Sequence, residues 1–401
     1  MRKIVVSYSS NYLPVIKVLA QQEQTEFYTL HPDFTRQLVD MDIPAKQLGE
    51  GIDVPVRDLA FRHAAKILID TCNTMPQIIQ TVDGQLLTLH PAVEDFIKHG
   101  LPGFLYARLS ELAGTVIALD ATKPDLIILH NDVEPATRAI ALWAKAHSVP
   151  CLHVPHAVYI DDFGRGEPGT DVHDLVTASD IAVAGPYQNN WYLTRGGQTH
   201  VTGLPQFDKW SHIKVDRVFA KSLFNLSPAR PAVMYFSSWR QDTNLLGCHG
   251  GVEESYDNFL DAVSEMPDLQ VVIKTHPRGG NLQYHIDRAK EKGVACLVTD
   301  IHLELLLQAV DVLVAYGPSN TLLDAAHFSH LALASIAGFP HDAEIITMGE
   351  SKEAIKTGLE RALSAPPPNW DWFRYKYAGV SDGLAYQRIA ELGQKLCQVS
   401  S

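Results

Sequence analysis

Three short polar runs in the second half of the chain could together hold an anion. They are Ser237-Ser238-Trp239-Arg240, Lys274-Thr275-His276-Pro277-Arg278 and Gly317-Pro318-Ser319-Asn320-Thr321, the last followed by Asp324. Each follows an aliphatic run of strand character, and the third opens a helical segment. Hydroxyls, a lysine, a histidine and the unpaired amides of a helix start suit a diphosphate or a phosphate diester bound without a metal. Helix capping by Ser319, Asn320 and Thr321, a solvated Lys274 and a plain strand end at Ser237 and Ser238 account for each run singly. Coincidence at three strand ends favours one shared anion site.

The first half carries a different set. A strand-like run ending at His130 is followed by Asn131-Asp132-Val133-Glu134. Asp132 or Asn131 can cap the helix that follows, and Glu134 suits its first turn through the helix dipole. The same acids beside a histidine also suit an acceptor site. The next strand runs into His153-Val154-Pro155-His156-Ala157, which places His156 at a strand end and His153 within the strand. A near-neutral pKa fits His156 to take a proton from a hydroxyl, although a hydrogen-bonded structural histidine is equally consistent. The loop Asp161 to Gly169, rich in glycine and acids, has the composition of a lid.

These residues need a scaffold that delivers strand ends to one crevice. Short aliphatic runs alternate with helical segments twice, as expected of buried parallel sheets. The first series comprises 3–8, 26–30, 125–130, 151–154, 181–184 and 200–202, with a mostly helical region over about 54 to 120. The second comprises 232–237, 269–274, 295–298, 310–315 and 332–336. Prolines at 205, 228 and 231 mark a linker between them, and Pro366-Pro367-Pro368 must stop a helix. The expected fold is α/β, with two Rossmann-like domains facing across a cleft. The expected boundaries are 1–215, 216–370 and a helical tail 371–401 that packs back on the first domain. In open parallel sheets ligands bind beyond the carboxyl ends of the strands, where both residue sets fall.

Composition excludes other classes. The 401 residues are 46% hydrophobic and 20% charged, so the chain is neither disordered nor a disulfide scaffold. A net charge of −13 disfavours nucleic acid and anionic lipid as partners. Five scattered cysteines read as free thiols of a reducing compartment. No apolar run is long enough for a signal peptide or a membrane span, and a cytoplasmic location is expected. No P-loop, no G-x-G-x-x-G after the first strand (Ser7-Tyr8-Ser9-Ser10-Asn11 stands there), no G-x-S-x-G and no zinc spacing occurs.

Four segments carry a family resemblance. They are Pro150 to Ala157, Val201-Thr202-Gly203-Leu204-Pro205-Gln206-Phe207-Asp208 (V-x-G-x-P-x-x-D), Val272-Ile273-Lys274-Thr275-His276-Pro277 (K-x-H-P) and Asp311 to Asp324. Their order resembles the GT-B glycosyltransferases, nearest to CDP-glycerol glycerophosphotransferases and capsular-polysaccharide transferases. Ala157 stands where the family has glycine, and Asn320 where it has a second serine. The resemblance implies a metal-independent, inverting transferase without cofactor, using a nucleotide-activated donor and a glycan or other hydroxyl acceptor. His156 would be the base, with Asp132 or Glu134 as orienting partner or substitute. Ser237, Ser238, Arg240, Lys274, His276, Pro277, Ser319, Asn320, Thr321 and Asp324 would bind the donor. Glycerol-phosphate transfer from CDP-glycerol, a non-hydrolysing UDP-sugar 2-epimerase and a non-catalytic nucleotide or glycan module are the alternatives. The oligomeric state is left open.

Overall fold

The computed structural model describes residues 2–22, 24–51, 62, 66, 78–80, 86–88, 100–132, 134–158, 176–237, 250–276, 282–301, 303–317, 319–337, 339 and 342–399. Ser238, Arg240, Pro277 and the segment 161–169 lie outside the described residues.

The first half of the chain supplies the strands β1 (Arg2–Val6), β2 (Thr25–Thr29), β3 (Ala45–Gln47), β4 (Ile78–Gln80), β5 (Leu86–Thr88), β6 (Leu126–Leu129), β7 (Cys151–His153), β8 (Asp180–Val183) and β9 (Thr199–Val201). Seven of them form a parallel sheet in the order β3-β2-β1-β6-β7-β8-β9. The second half supplies β10 (Ala232–Phe236), β11 (Gln270–Lys274), β12 (Cys296–Thr299), β13 (Val312–Tyr316), β14 (Ala332–Ile336) and β15 (Ile346–Met348). These form a parallel sheet in the order β12-β11-β10-β13-β14-β15. Strand order reverses between β1 and β6 and again between β10 and β13, and crevices open at such switch points. The central strands β6 and β10 are buried on both faces, which is why they read as continuous apolar runs.

The sequence reading misses one edge strand of each sheet, β3 and β15, and finds the opposite edges β9 and β12. The region 54 to 120, expected to be mostly helical, contains the antiparallel pair β4 and β5 before the helix Leu101–Thr122. The β-branched pair Ile78-Ile79 favours the extended form there.

The chain passes between the two sheets twice. The first passage follows β9 through the helices Pro205–Asp208 and Arg217–Leu223. Arg217 and Lys221 of the latter pair with Asp311 beside β13, and the Asp311 carboxylate also accepts the Ala232 N–H at 2.8 Å. The second passage follows the helix Lys352–Ser364, through the helix Asp371–Ala378 to the final helix Ala385–Val399. That last helix lies on the helix Leu13–Gln22 and on β6 of the first sheet. Asp208 holds its start: one carboxylate oxygen accepts the Ala385 N–H and the other the Tyr386 N–H, both at 3.0 Å. Arg388 donates to the Thr202 carbonyl at 2.6 Å. The V-x-G-x-P-x-x-D segment is thus the socket of the C-terminal helix. At Gly379, φ is +77° and a Cβ would sit 2.0 Å from the Ala184 carbonyl oxygen, so only glycine fits there.

Candidate functional site

Both switch points present polar side chains. In the first sheet, Ser7 follows β1 and its hydroxyl accepts the His130 N–H at 2.9 Å. The same oxygen lies 2.8 Å from His130 Nδ1. The Asn131 amide nitrogen is 2.7 Å from His130 Nε2. Asn131 Oδ1 accepts the Glu134 N–H at 3.1 Å and the Thr137 hydroxyl at 2.6 Å. Asn131 thus braces the turn that leads into the helix Pro135–Ala146, whose N-cap is Glu134 and which carries no side-chain cap.

Asp132 is turned away from His156. Its carboxylate is buried and accepts the N–H groups of Thr177 (2.7 Å) and Ala178 (3.0 Å), which ties the start of β8 to the end of β6. Its nearest histidine is His153, at 3.7 Å. His153 is buried, and neither ring nitrogen has a hydrogen-bond partner among the described residues. Burial holds its imidazole below the ordinary value, and the Asp132 charge acts against that shift. His156 is exposed at the crevice. Its Nδ1 faces the His130 carbonyl at 3.4 Å, and the His130 and His156 rings meet edge to face at 5.9 Å. Glu134 is exposed, with its carboxylate 4.0 Å from His130 Nε2.

In the second sheet the strand ends carry Ser237, Lys274 to His276 and Ser319 to Thr321. Ser237 is buried and its N–H donates to the Lys274 carbonyl at 2.9 Å. Lys274 is buried at the end of β11. Its ammonium is buried, donates to the Thr275 carbonyl at 2.7 Å and has its pKa lowered by desolvation. His276 is half-buried with its ring edge-on to Phe236 at 6.2 Å. Ser319 caps the helix Asn320–Ala325 by accepting the Thr321 N–H at 3.3 Å. The buried Ser335 hydroxyl donates to the Gly317 carbonyl at 2.9 Å, which fixes the turn before it.

Two residues expected at the donor have other partners. Asp324 points toward the first passage of chain, where the Trp210 indole N–H donates to its carboxylate at 2.7 Å. Desolvation pushes its pKa up to about 7, while the Trp210 bond and Lys209 act the other way. Asn320 reaches into the first sheet's loops. Its Oδ1 accepts the Val158 N–H at 2.9 Å and its Nδ2 donates to the Val158 carbonyl at 3.1 Å. The preceding residue is held from the other side, because the Gln188 amide donates to the Ala157 carbonyl at 3.1 Å. The two crevices therefore meet within two residues of His156.

Sequence reasoning set His130 beside an acceptor site but named none of Ser7, Asn131 and Gln188 as a site residue. The signal for Ser7 is its place directly after the first strand, where no glycine-rich turn stands. Among the described residues no group of three or more histidines, cysteines, aspartates or glutamates could hold a metal ion. No helix among them is long and apolar enough to cross a membrane.

Comparison with solved structures defines the fold. The chain is similar to UDP-GlcNAc 2-epimerase from Neisseria meningitidis bound to UDP-GlcNAc, with a TM-score of 0.57, 12% identity and coverage of 98% of this chain and 100% of that one. It is similar to UDP-GlcNAc 2-epimerase from Methanocaldococcus jannaschii in complex with UDP-GlcNAc and UDP (TM-score 0.55, 13% identity, 98% and 100% covered). A glycosyltransferase from Rickettsia africae gives a TM-score of 0.51 at 9% identity, with 98% of both chains covered. Two parallel-sheet α/β domains arranged as in the GT-B fold are thereby shown. No family model and no curated protein sequence matches the chain. These similarities support the GT-B fold but not the narrower resemblance to CDP-glycerol glycerophosphotransferases. One reason is visible: one of the four motifs, 201–208, secures the final helix, a demand of the architecture rather than of one substrate.

Proposed function

We propose that this chain is an enzyme acting on a nucleoside-diphosphate sugar, and that its reaction is epimerisation of the sugar rather than transfer to an acceptor. The observation that supports this most is the Asn320–Val158 contact, which makes one cleft of the two switch-point crevices. One wall carries a histidine cluster fit for proton transfer; the other carries hydroxyls, backbone amides and His276, fit for a diphosphate. The whole-chain similarity to two UDP-GlcNAc 2-epimerases favours this reading over the transferase expected from the sequence.

In this reading residues 216–370 hold the nucleotide. Ser237, His276 and the amides about Ser319 and Thr321 lie against the diphosphate and stabilise the charge that grows on it when the bond to the sugar loosens. His156 moves the proton. Its Nδ1 faces a carbonyl, so Nε2 is the basic nitrogen. Neither step calls on a metal, and EDTA should leave the rate unchanged.

A transferase is the second reading, supported by the exposure of His156 at the cleft, where a hydroxyl acceptor could reach it. One incubation separates them. With UDP-GlcNAc alone, an epimerase produces the C2 epimer, read by proton NMR of the anomeric signal. A transferase leaves the donor intact until an acceptor is added. No binding of UDP or UDP-GlcNAc in a thermal-shift titration sinks both; a ligand at 100 times its Kd should stabilise by about 2.7 kcal/mol.

A further inference from the structure

We propose that Asn131 fixes His130 as the neutral imidazole that carries its proton on Nδ1, so that the wall beside His156 stays uncharged. The hydrogen bonds determine this without reference to any substrate. The atom of Asn131 that faces the Glu134 N–H at 3.1 Å must be the carbonyl oxygen, because a backbone N–H can only donate. The Thr137 hydroxyl, 2.6 Å from the same atom, agrees with that assignment. The NH2 group therefore faces His130 Nε2, at 2.7 Å. An amide NH2 can only donate, so Nε2 must present its lone pair. The ring proton then resides on Nδ1, 2.8 Å from the Ser7 oxygen.

Protonating Nε2 would set an N–H against the Asn131 NH2. Relief requires the amide to turn over, which would set its NH2 against the Glu134 N–H, a group that can only donate. The other charged and titratable groups nearby do not reverse this. Glu134 favours a cation but is exposed and 4.0 Å away. Asp132 is held by two backbone N–H groups and lies nearer His153. The His156 ring, 5.9 Å off, would itself oppose a second positive charge.

Asn131 is thus a positioning residue that acts through His130. A neutral His130 leaves His156 free to gain and lose its proton without a like charge beside it. This consequence rests on the reading of the cleft given above; the tautomer does not.

The test uses the full-length protein labelled with 15N-histidine and long-range proton–nitrogen correlation spectra, with His130→Gln identifying the His130 signals. The wild type should show one protonated ring nitrogen, Nδ1, unchanged from pH 6 to pH 8. An Nε2–H or doubly protonated pattern at pH 7 overturns the proposal, and this spectrum decides it without a variant. Asn131→Asp places a carboxylate oxygen against Nε2 and should convert His130 to the imidazolium. Asn131→Ala should release it to titrate near the ordinary histidine value of about 6.5. Ser7→Ala should leave the lone pair on Nε2, and a tautomer that follows Ser7 instead of Asn131 contradicts the assignment.

Turnover of UDP-GlcNAc supplies the second readout. In Asn131→Ala the acid limb should gain one ionisation, with the rate about tenfold lower one pH unit below its midpoint. A profile with no added ionisation, while the spectra show His130 titrating, overturns the link to His156. A wild type with the expected spectrum and no nucleotide-sugar turnover sinks the proposed function and leaves the tautomer standing.

Discussion

The side-chain amide of Asn320 pairs with both backbone groups of Val158, accepting its N–H at 2.9 Å and donating to its carbonyl at 3.1 Å. The residues belong to opposite sheets and stand 162 apart in the chain. A flexible side chain thus joins the two walls of the cleft beside His156.

Asn320→Asp keeps the accepting oxygen and sets a second oxygen against the Val158 carbonyl. The closed arrangement should lose about 1 to 2 kcal/mol. Small-angle scattering should show a larger radius of gyration than the wild type, and the KM for UDP-GlcNAc should rise about tenfold with a smaller change in kcat. Unaltered scattering and KM would mean that the contact holds nothing closed.

His156→Ala and His276→Ala should each lower turnover by about a hundredfold or more while the circular dichroism spectrum stays native. Loss of the proton carrier should lower kcat at every pH, whereas loss of His276 should also weaken binding of UDP. Near-normal turnover in either variant removes that residue from the mechanism.

Asp324 should make stability fall as the solution turns from acid to neutral. Its carboxyl has a pKa of about 7 when folded against an ordinary 3.8. Between those values the native state holds a proton that the unfolded state has released. Its contribution to stability is therefore greatest below pH 4, declines through pH 4 to 7 and is level above. A carboxamide at this position keeps an oxygen for the Trp210 indole without the ionisation. Asp324→Asn should be more stable than the wild type at pH 8, by about 2 to 4 kcal/mol, and equal to it near pH 4. Urea titrations at the two pH values read the difference; a constant offset contradicts this account.

Asp208→Ala removes the acceptor for two N–H groups at the start of the final helix. A cost of about 2 kcal/mol is expected, read as a lower urea midpoint. Hydrogen exchange should speed first in residues 385–399 and in the helix Leu13–Gln22 beneath them. Exchange rates at the wild-type level there would show the helix held by its apolar face alone.

The sheets were legible from sequence because central parallel strands are apolar on both faces, as Leu126–Leu129 and Ala232–Phe236 are. Their ends were legible too, which is why His156, His276 and Ser319 could be named. Side-chain partners were not. Asp132 looked like a companion for His156 because the two lie at adjacent strand ends, yet one of its oxygens accepts two backbone N–H groups 45 and 46 residues away and the other lies 3.7 Å from His153. Lys274 looked like an anion ligand, and its ammonium is buried and donates to the next residue's carbonyl. Asn320 looked like a phosphate ligand, and its amide matches a peptide group instead. The partners of Asp132 and Asn320 lie in segments distant in the chain, and no local pattern encodes them.

The double passage of chain between the sheets has a mechanical consequence. A single strand of linker lets two bodies swivel about any axis. Here residues 202–217 and the segment after 364 cross side by side, and the second is anchored by Asp208 and by the contact of Gly379 with the Ala184 carbonyl. Twisting would strain one crossing against the other, while bending about the line that joins them strains neither. The double crossing therefore favours bending over twisting between the walls that carry His156 and Ser319.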